Sequence, residues 1–287
     1  MISLPRNCNS SPYSILRGEF MAWEQVVFQY DGTFDGFLCC VFDSYVHKEF
    51  PIAFYSDEEW CVLSFYPVRA VHTVSEHAQR VYRSLVKLSP SAVQLLRKGF
   101  LTCLEEKELC LYCFIRKLFK DGPAFLKNQA DPAYYPIAKA VRHMNGEVEK
   151  LRGFIRFSDY NGVLGAEIEP KNQVLPLLRH HFCSRYANES FFIYDRCHKE
   201  LLLYTKGHSR IIPVDSLQLS LPGEEEVHYR RLWKQFYESI AIKERTNPRC
   251  QNSFLPKRYR GTMTEFLPAD HGENPQLFSS KNPQNLP

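Results

Sequence analysis

Gly153–Pro170, GFIRFSDYNGVLGAEIEP, is where the chain changes period, and its reading decides the fold class. Upstream, apolar residues recur at helical spacing; from here on they alternate or run in short blocks bounded by turn residues. Phe154–Phe157 and Leu164–Ile168 read as strands flanking a turn at Asp159–Gly162. Asn172 is placed to cap a helix through Val174, Leu178, His181 and Arg185, and Phe191–Asp195, Leu201–Thr205 and Ile211–Val214 supply three more strands. Short turns between consecutive strands predict an antiparallel meander with helices packed on one face. The expected class is α+β, with a helical N-terminal lobe carrying a short strand pair and a second lobe built on an antiparallel sheet.

Working upstream, Val26–Phe28 is a short strand and Asp31-Gly32 a turn, after which Phe34, Phe37, Leu38, Val41, Phe42 and Tyr45 share one helical face. Val68–Thr73 is a second strand, and Thr73-Val-Ser-Glu76 has the form of a capping box opening a helix with Ala78, Val81, Tyr82 and Leu85 inward. Ser89-Pro90 starts another helix, and a third, through Leu111, Phe114, Ile115 and Leu118, is stopped by Asp121-Gly122-Pro123. Polar Lys127–Asp131 reads as a linker, and Ile137, Ala140, Val141, Met144 and Val148 mark a helix running into Gly153. Downstream, Glu224–Lys243 is a last helix, acidic at its start and basic at its end, with Trp233, Phe236, Tyr237 and Ile240 expected inward. The predicted organisation is a flexible extension over 1–21, a mainly helical lobe over 22–126, an α+β lobe over 131–266 and a disordered tail over 267–287. Met21 is as good a start as Met1, and no internal repeat is visible.

The 287 residues are 44% hydrophobic and 14% aromatic, enough to bury a large core or two modest ones, which excludes disorder throughout. The longest apolar runs fall far short of a bilayer span, and the N-terminus lacks a basic start followed by an apolar block. A cytoplasmic protein with no membrane partner is expected. The ten cysteines read as reduced thiols, since a core of this size needs no staples. Cys110-Leu-Tyr-Cys113 has the spacing of half a metal site, but it lies in a helical stripe and no second Cys or His pair stands at ligand spacing. No metal or cofactor is expected.

Lys243–Arg260, KERTNPRCQNSFLPKRYR, carries six basic residues and one acid, a local charge of +5 in a chain whose total is +4. Pro248 and Pro256 argue against a regular helix, leaving Arg245, Arg249, Lys257, Arg258 and Arg260 for phosphates and Phe254 and Tyr259 for base stacking. Alternation also puts Arg156 on one face of its strand with Phe154; with Lys150 just before, the sheet would have a basic edge. A solvated basic tail is the competing reading. The enzymatic alternative is a metal-dependent hydrolase in which Asp159 and Glu169 hold a metal ion and Lys171 polarises a phosphate; Pro170 inside that triplet counts against it. His180 and His181, neighbours on a helix, point about 100° apart and suit no shared ion; His181 reads as a core contact. Asp31-Gly32-Thr33 lacks the ending of a P-loop and reads as a tight turn with a cap.

Four segments together carry a resemblance. They are Tyr30-Asp-Gly-Thr-Phe-Asp-Gly-Phe-Leu38, Glu147-Val-Glu-Lys-Leu-Arg-Gly-Phe-Ile-Arg-Phe157, His181-Phe-Cys-Ser-Arg-Tyr186, and Glu244-Arg-Thr-Asn-Pro248 leading to Pro256-Lys-Arg-Tyr259. Over Glu24 to Phe266 the chain resembles an uncharacterised bacterial family of DNA metabolism or repair proteins. The genes of that family sit beside a radical-SAM protein of DNA modification or repair, and a related domain is fused to some uracil-DNA glycosylases. The resemblance implies DNA and a radical-SAM protein as partners, and carries over no catalytic residue. Where relatives have His before the Lys of the Glu-x-His-Lys run, this chain has Glu149 before Lys150, which marks the position as structural or electrostatic. The expected function is a nucleic-acid-binding accessory in DNA modification or repair; the rivals are the hydrolase above and a scaffold that bridges proteins without touching nucleic acid.

Overall fold

The computed structural model describes residues 23–56, 64–219, 223–240, 242 and 247–266, without the side chain of Tyr237. The extension over 1–21 and the tail over 267–287 lie outside the described residues. The fold is α+β, in two compact units: Met1–Glu147 with Lys171–Gln173, and Val148–Pro170 with Val174–Pro287. The division falls inside a helix, at Glu147/Val148, rather than at the polar stretch 127–131.

The first unit holds a three-stranded sheet in the order β2-β1-β3, built from β1 (Glu24–Tyr30), β2 (Glu49–Ser56) and β3 (Val68–Ala70), with both pairings parallel. Central β1 is buried along Val26, Val27, Phe28 and Tyr30, the near-continuous apolar run that a parallel strand covered on both faces requires. β2 carries Pro51, which an edge strand tolerates because one side of its backbone needs no partner. Helix α1 (Phe34–His47) connects β1 to β2; Thr33 caps it by accepting from the Gly36 amide. Helices α2 (Ser75–Leu88), α3 (Pro90–Phe100) and α4 (Lys107–Asp121) follow, with Phe37, Leu38, Leu85, Leu96 and Phe114 fully buried among them. Ser89 caps α3 as the sequence predicts, and Gly122, at φ +69°, ends α4 in a conformation that costs glycine little.

The capping box at Thr73 does not form. The N-cap of α2 is Val74, and the Thr73 hydroxyl donates instead to Asp31. Asn172 is likewise no cap: α6 (Leu175–Arg185) begins from Val174 without a side-chain cap bond. The Asn172 side chain donates to the buried Glu147 carboxylate at 2.6 Å and accepts from the Cys103 amide at 2.9 Å. Glu147 also accepts from the backbone amides of Lys171 and Asn172, both at 3.1 Å, so its charge is satisfied while three residues from far along the chain are held in the first unit.

The second unit begins with the last turns of α5 (Tyr135–Phe154) and holds a five-stranded sheet in sequence order: β4 (Ser158–Tyr160), β5 (Val163–Ile168), β6 (Phe191–Asp195), β7 (Glu200–Thr205) and β8 (His208–Pro213). The sheet is mixed rather than an antiparallel meander, because β5 and β6 pair in parallel. The reason is the connection. Parallel neighbours need a crossover of a dozen or more residues, and α6 supplies it between Ile168 and Phe191. The other pairs are antiparallel hairpins, with Asn161-Gly162 and Lys206-Gly207 at positive φ in the tight turns. Phe154–Phe157 is not a strand: α5 runs to Phe154, and β4 starts only at Ser158. Gly165 in β5 lies where a Cβ would come within 2.3 Å of the Phe192 ring and 2.7 Å of Tyr160, so those rings cross the strand only because no side chain is there. Among the described residues no helix is long and apolar enough to cross a membrane.

Candidate nucleic-acid interface

The basic segment folds rather than trailing. Pro248 opens helix α8 (Pro248–Phe254) instead of breaking one, since its missing N–H falls in the first turn where no intrahelical partner exists. The Asn247 side chain caps it, accepting from the Cys250 amide at 3.0 Å. Pro256 then leads into a 3-10 turn over Lys257–Thr262. The segment is thus two short helical pieces, a correction to the expectation that its prolines exclude a helix.

This local folding sorts the expected contact residues. Arg249 and Lys257 are exposed, make no ion pair among the described residues, and flank Phe254, whose side chain is 76% exposed. Tyr259 is the opposite case: it is buried, with its ring 5.4 Å from Phe154. Arg258 donates to the Tyr259 hydroxyl, with its guanidinium 4.5 Å from the ring centre. Tyr259 is therefore an anchor of the segment and not a stacking platform. Arg260 donates to Asn252 Oδ1 at 2.9 Å and to the Leu255 carbonyl at 3.1 Å, closing α8 onto the turn that follows.

Arg156 does not edge a sheet. Its Nη2 donates at 2.8 Å to Glu265, whose side chain is 2% exposed, and its Nη1 to the Gly153 carbonyl at 2.8 Å. The charge of Arg156 is thereby spent on a buried carboxylate, a structural ion pair. Lys150 is half-buried on α5, and Arg245 lies outside the described residues.

Helix α7 (Glu224–Ile240) departs furthest from expectation. Trp233, Phe236 and Ile240 are 41, 52 and 58% exposed rather than inward, and Tyr229 and Leu232 join them on one side. The Trp233 and Phe236 rings stack on each other at 5.7 Å. Polar contacts help to dock α7: Arg230, paired within the helix with Glu226 at 2.7 Å, donates to Ser158 Oγ at 2.6 Å, Glu226 accepts from the Asp159 amide at 3.2 Å, and the Arg156 guanidinium lies 6.0 Å from the centre of the Trp233 ring. Glu226, Val227, Arg230 and Lys234 form the half-buried face, and the aromatic residues beside it keep about two-fifths to two-thirds of their surface open to solvent.

The remaining candidates resolve by geometry. Asp159 pairs in register with Leu164 at the start of β5, whereas Glu169 follows its end, five residues or roughly 16 Å away. Asp159 Oδ1 accepts from the Gly162 amide and Glu169 pairs with Arg196, so the hydrolase arrangement does not assemble. Asp31 accepts from the Thr33 amide and hydroxyl and from the Thr73 hydroxyl; burial opposes its charge, but these hydrogen bonds outweigh it and hold the carboxyl below its ordinary value. It is a satisfied turn residue. Burial pushes the Cys110 thiol up to about 11 and Cys113 to about 12, which keeps both protonated and in the core.

His181 is not the core contact expected of it. Half-buried on α6, it faces a cationic neighbourhood: burial and the charges of Arg152 and Arg185 hold its imidazole below the ordinary value against the opposing pull of Glu149. Its Nε2 and the Nε of Arg152 are both shielded from solvent and make no hydrogen bond among the described residues. Nothing in the local sequence signals this; it follows from the closeness of Arg152, at the end of α5, to His181 on α6. Asp195, fully buried at the end of β6, accepts from the Cys197 and His198 amides and meets His198 Nδ1 at 2.7 Å, an arrangement that shapes the β6–β7 hairpin.

No curated protein matches this chain. A family model, the domain of unknown function DUF4130, matches residues 105–265, from just before α4 to Glu265 in a second 3-10 turn, Thr264–Phe266. That span is more than half of the 287 residues and takes in α7, α8, Tyr259 and the Arg156–Glu265 pair, so the chain belongs to the DUF4130 family.

Proposed function

We propose that this protein binds DNA as an accessory in DNA modification or repair in the bacterial cytoplasm, with a radical-SAM partner supplying the chemistry. The observation that carries the reading is the folded basic segment, on which Arg249 and Lys257 stand exposed on either side of an exposed Phe254. Unpaired cations release counterions when they meet phosphates, and an exposed ring offers a π-face to a base. The link to DNA metabolism and to the radical-SAM protein rests on the resemblance described above. The hydrolase reading loses its support with Asp159 and Glu169 at opposite ends of β5.

Equilibrium binding to DNA over a range of salt concentrations tests this. Replacing both Arg249 and Lys257 by Ala should weaken binding and flatten the slope of log affinity against log salt by about 1.4 for a single strand. Wild-type protein that binds no DNA at low salt, but binds an acidic protein surface through the same two residues, would make it the scaffold instead.

A further inference from the structure

We propose that the exposed aromatic side of α7 is a stacking platform that makes the protein selective for single-stranded DNA; this rests on the DNA-binding reading above and names its substrate class. Trp233 and Phe236 lie one helical turn apart with their rings stacked, and Tyr229 continues the same side toward the start of the helix. Arg230 on Ser158 and Glu226 on the Asp159 amide hold the helix from another face, and among the described residues the one cation met by a ring of the pair is Arg156, 6.0 Å from the centre of Trp233, which leaves about half of the Phe236 surface and about two-fifths of the Trp233 surface open. An exposed apolar stripe of this kind marks a binding surface.

Charge selects the occupant. From the start of α7 at Glu224 to Arg260 the chain carries nine Lys or Arg and five Glu, a net +4, so everything else sums to zero. A second copy of the chain seated on this side would bring two such segments together, whereas a polyanion is attracted to it. The polyanion must also present flat apolar faces to the rings. Duplex DNA hides its bases in the stack and offers only phosphates and groove edges; a single strand offers both phosphates and bare π-faces. Arg249 and Lys257 would then follow the backbone of the strand while the α7 rings receive its bases.

The test compares oligothymidylate with a duplex of equal length, using full-length protein and the double variant Trp233→Ala/Phe236→Ala, with Trp233→Phe as a second variant. Because the replaced side chains are only half covered, the melting temperature should fall little, and affinities are compared for the folded protein. The expected result is a loss of about tenfold or more in single-strand affinity for the double variant, unchanged duplex affinity, an unchanged salt slope, and near-complete recovery in Trp233→Phe. If wild type binds DNA but the double variant loses nothing on the single strand, or loses equally on the duplex, the platform is refuted while the DNA-binding reading stands. If the double variant converts a dimer into a monomer with single-strand affinity intact, the stripe belongs to a second copy. Wild type that binds neither form refutes the DNA-binding reading, and this inference with it.

Discussion

Tyr259 shows how much one side chain decides. Its ring is packed on Phe154 at the end of α5 and covered by the Arg258 guanidinium, so it pins the basic segment to the second unit. Removing a buried aromatic side chain leaves a cavity, and Tyr259→Ala should cost about 3 kcal/mol or more of stability, while Tyr259→Phe should lose only the hydroxyl's bond with Arg258. Chemical denaturation of the two variants measures this, and DNA affinity of the folded fraction of the Ala variant should equal that of wild type. The sequence shows an aromatic residue between two arginines, which is also what an exposed stacking residue looks like. Burial of Tyr259 depends on Phe154, more than a hundred residues earlier, and no local pattern reveals that partner. Arg156 was hidden in the same way by Glu265.

At the scale of elements, the approach of Arg152, at the end of α5, to His181 on α6 has a consequence for pH. Burial and the charges of Arg152 and Arg185 depress the His181 imidazole in the folded protein, with Glu149 opposing. As pH falls through the ordinary imidazole value of about 6.5, the unfolded chain takes up a proton that the folded chain resists, so stability declines. The decline levels off once pH is below the depressed folded value. Thermal unfolding at a series of pH values from about 7.5 down to about 5 should therefore show a shallower fall for His181→Gln than for wild type; parallel curves would show that the ring is not desolvated against those arginines. The helices themselves are largely legible, because α1, α3 and α4 bury stripes of Leu, Phe and Val at helical spacing, Ser89-Pro90 opens α3 and Gly122-Pro123 stops α4. β2 is not, since Pro51 masks a strand that only an edge position permits. The parallel β5–β6 pair is not legible although its crossover helix is, because strand direction is a property of the connection and not of the strands' own residues. The aromatic stripe of α7 is legible but its side is not, because periodicity locates a stripe without saying whether it faces protein or solvent.

For the molecule as a whole, the division between units at Glu147/Val148 could not be read from composition, because the apolar stripe of α5 runs through it without interruption from Ile137 to Leu151. The α+β class was legible, and so was the concentration of positive charge in the final third of the chain. What the structure adds is a selection. Of the residues expected to meet nucleic acid, Tyr259, Arg156 and Arg260 hold the fold together, while Arg249, Phe254 and Lys257 face outward, joined by Trp233 and Phe236 of α7. The account's central claim is that these outward groups form a surface for a single DNA strand. Photo-cross-linking of full-length protein to a bromodeoxyuridine-substituted single strand, followed by mass-spectrometric mapping of the adducts, tests it most directly. Adducts concentrated in the peptides spanning Tyr229–Ile240 and residues 247–260 are predicted; adducts confined to the first unit, or none at saturating strand, would contradict it.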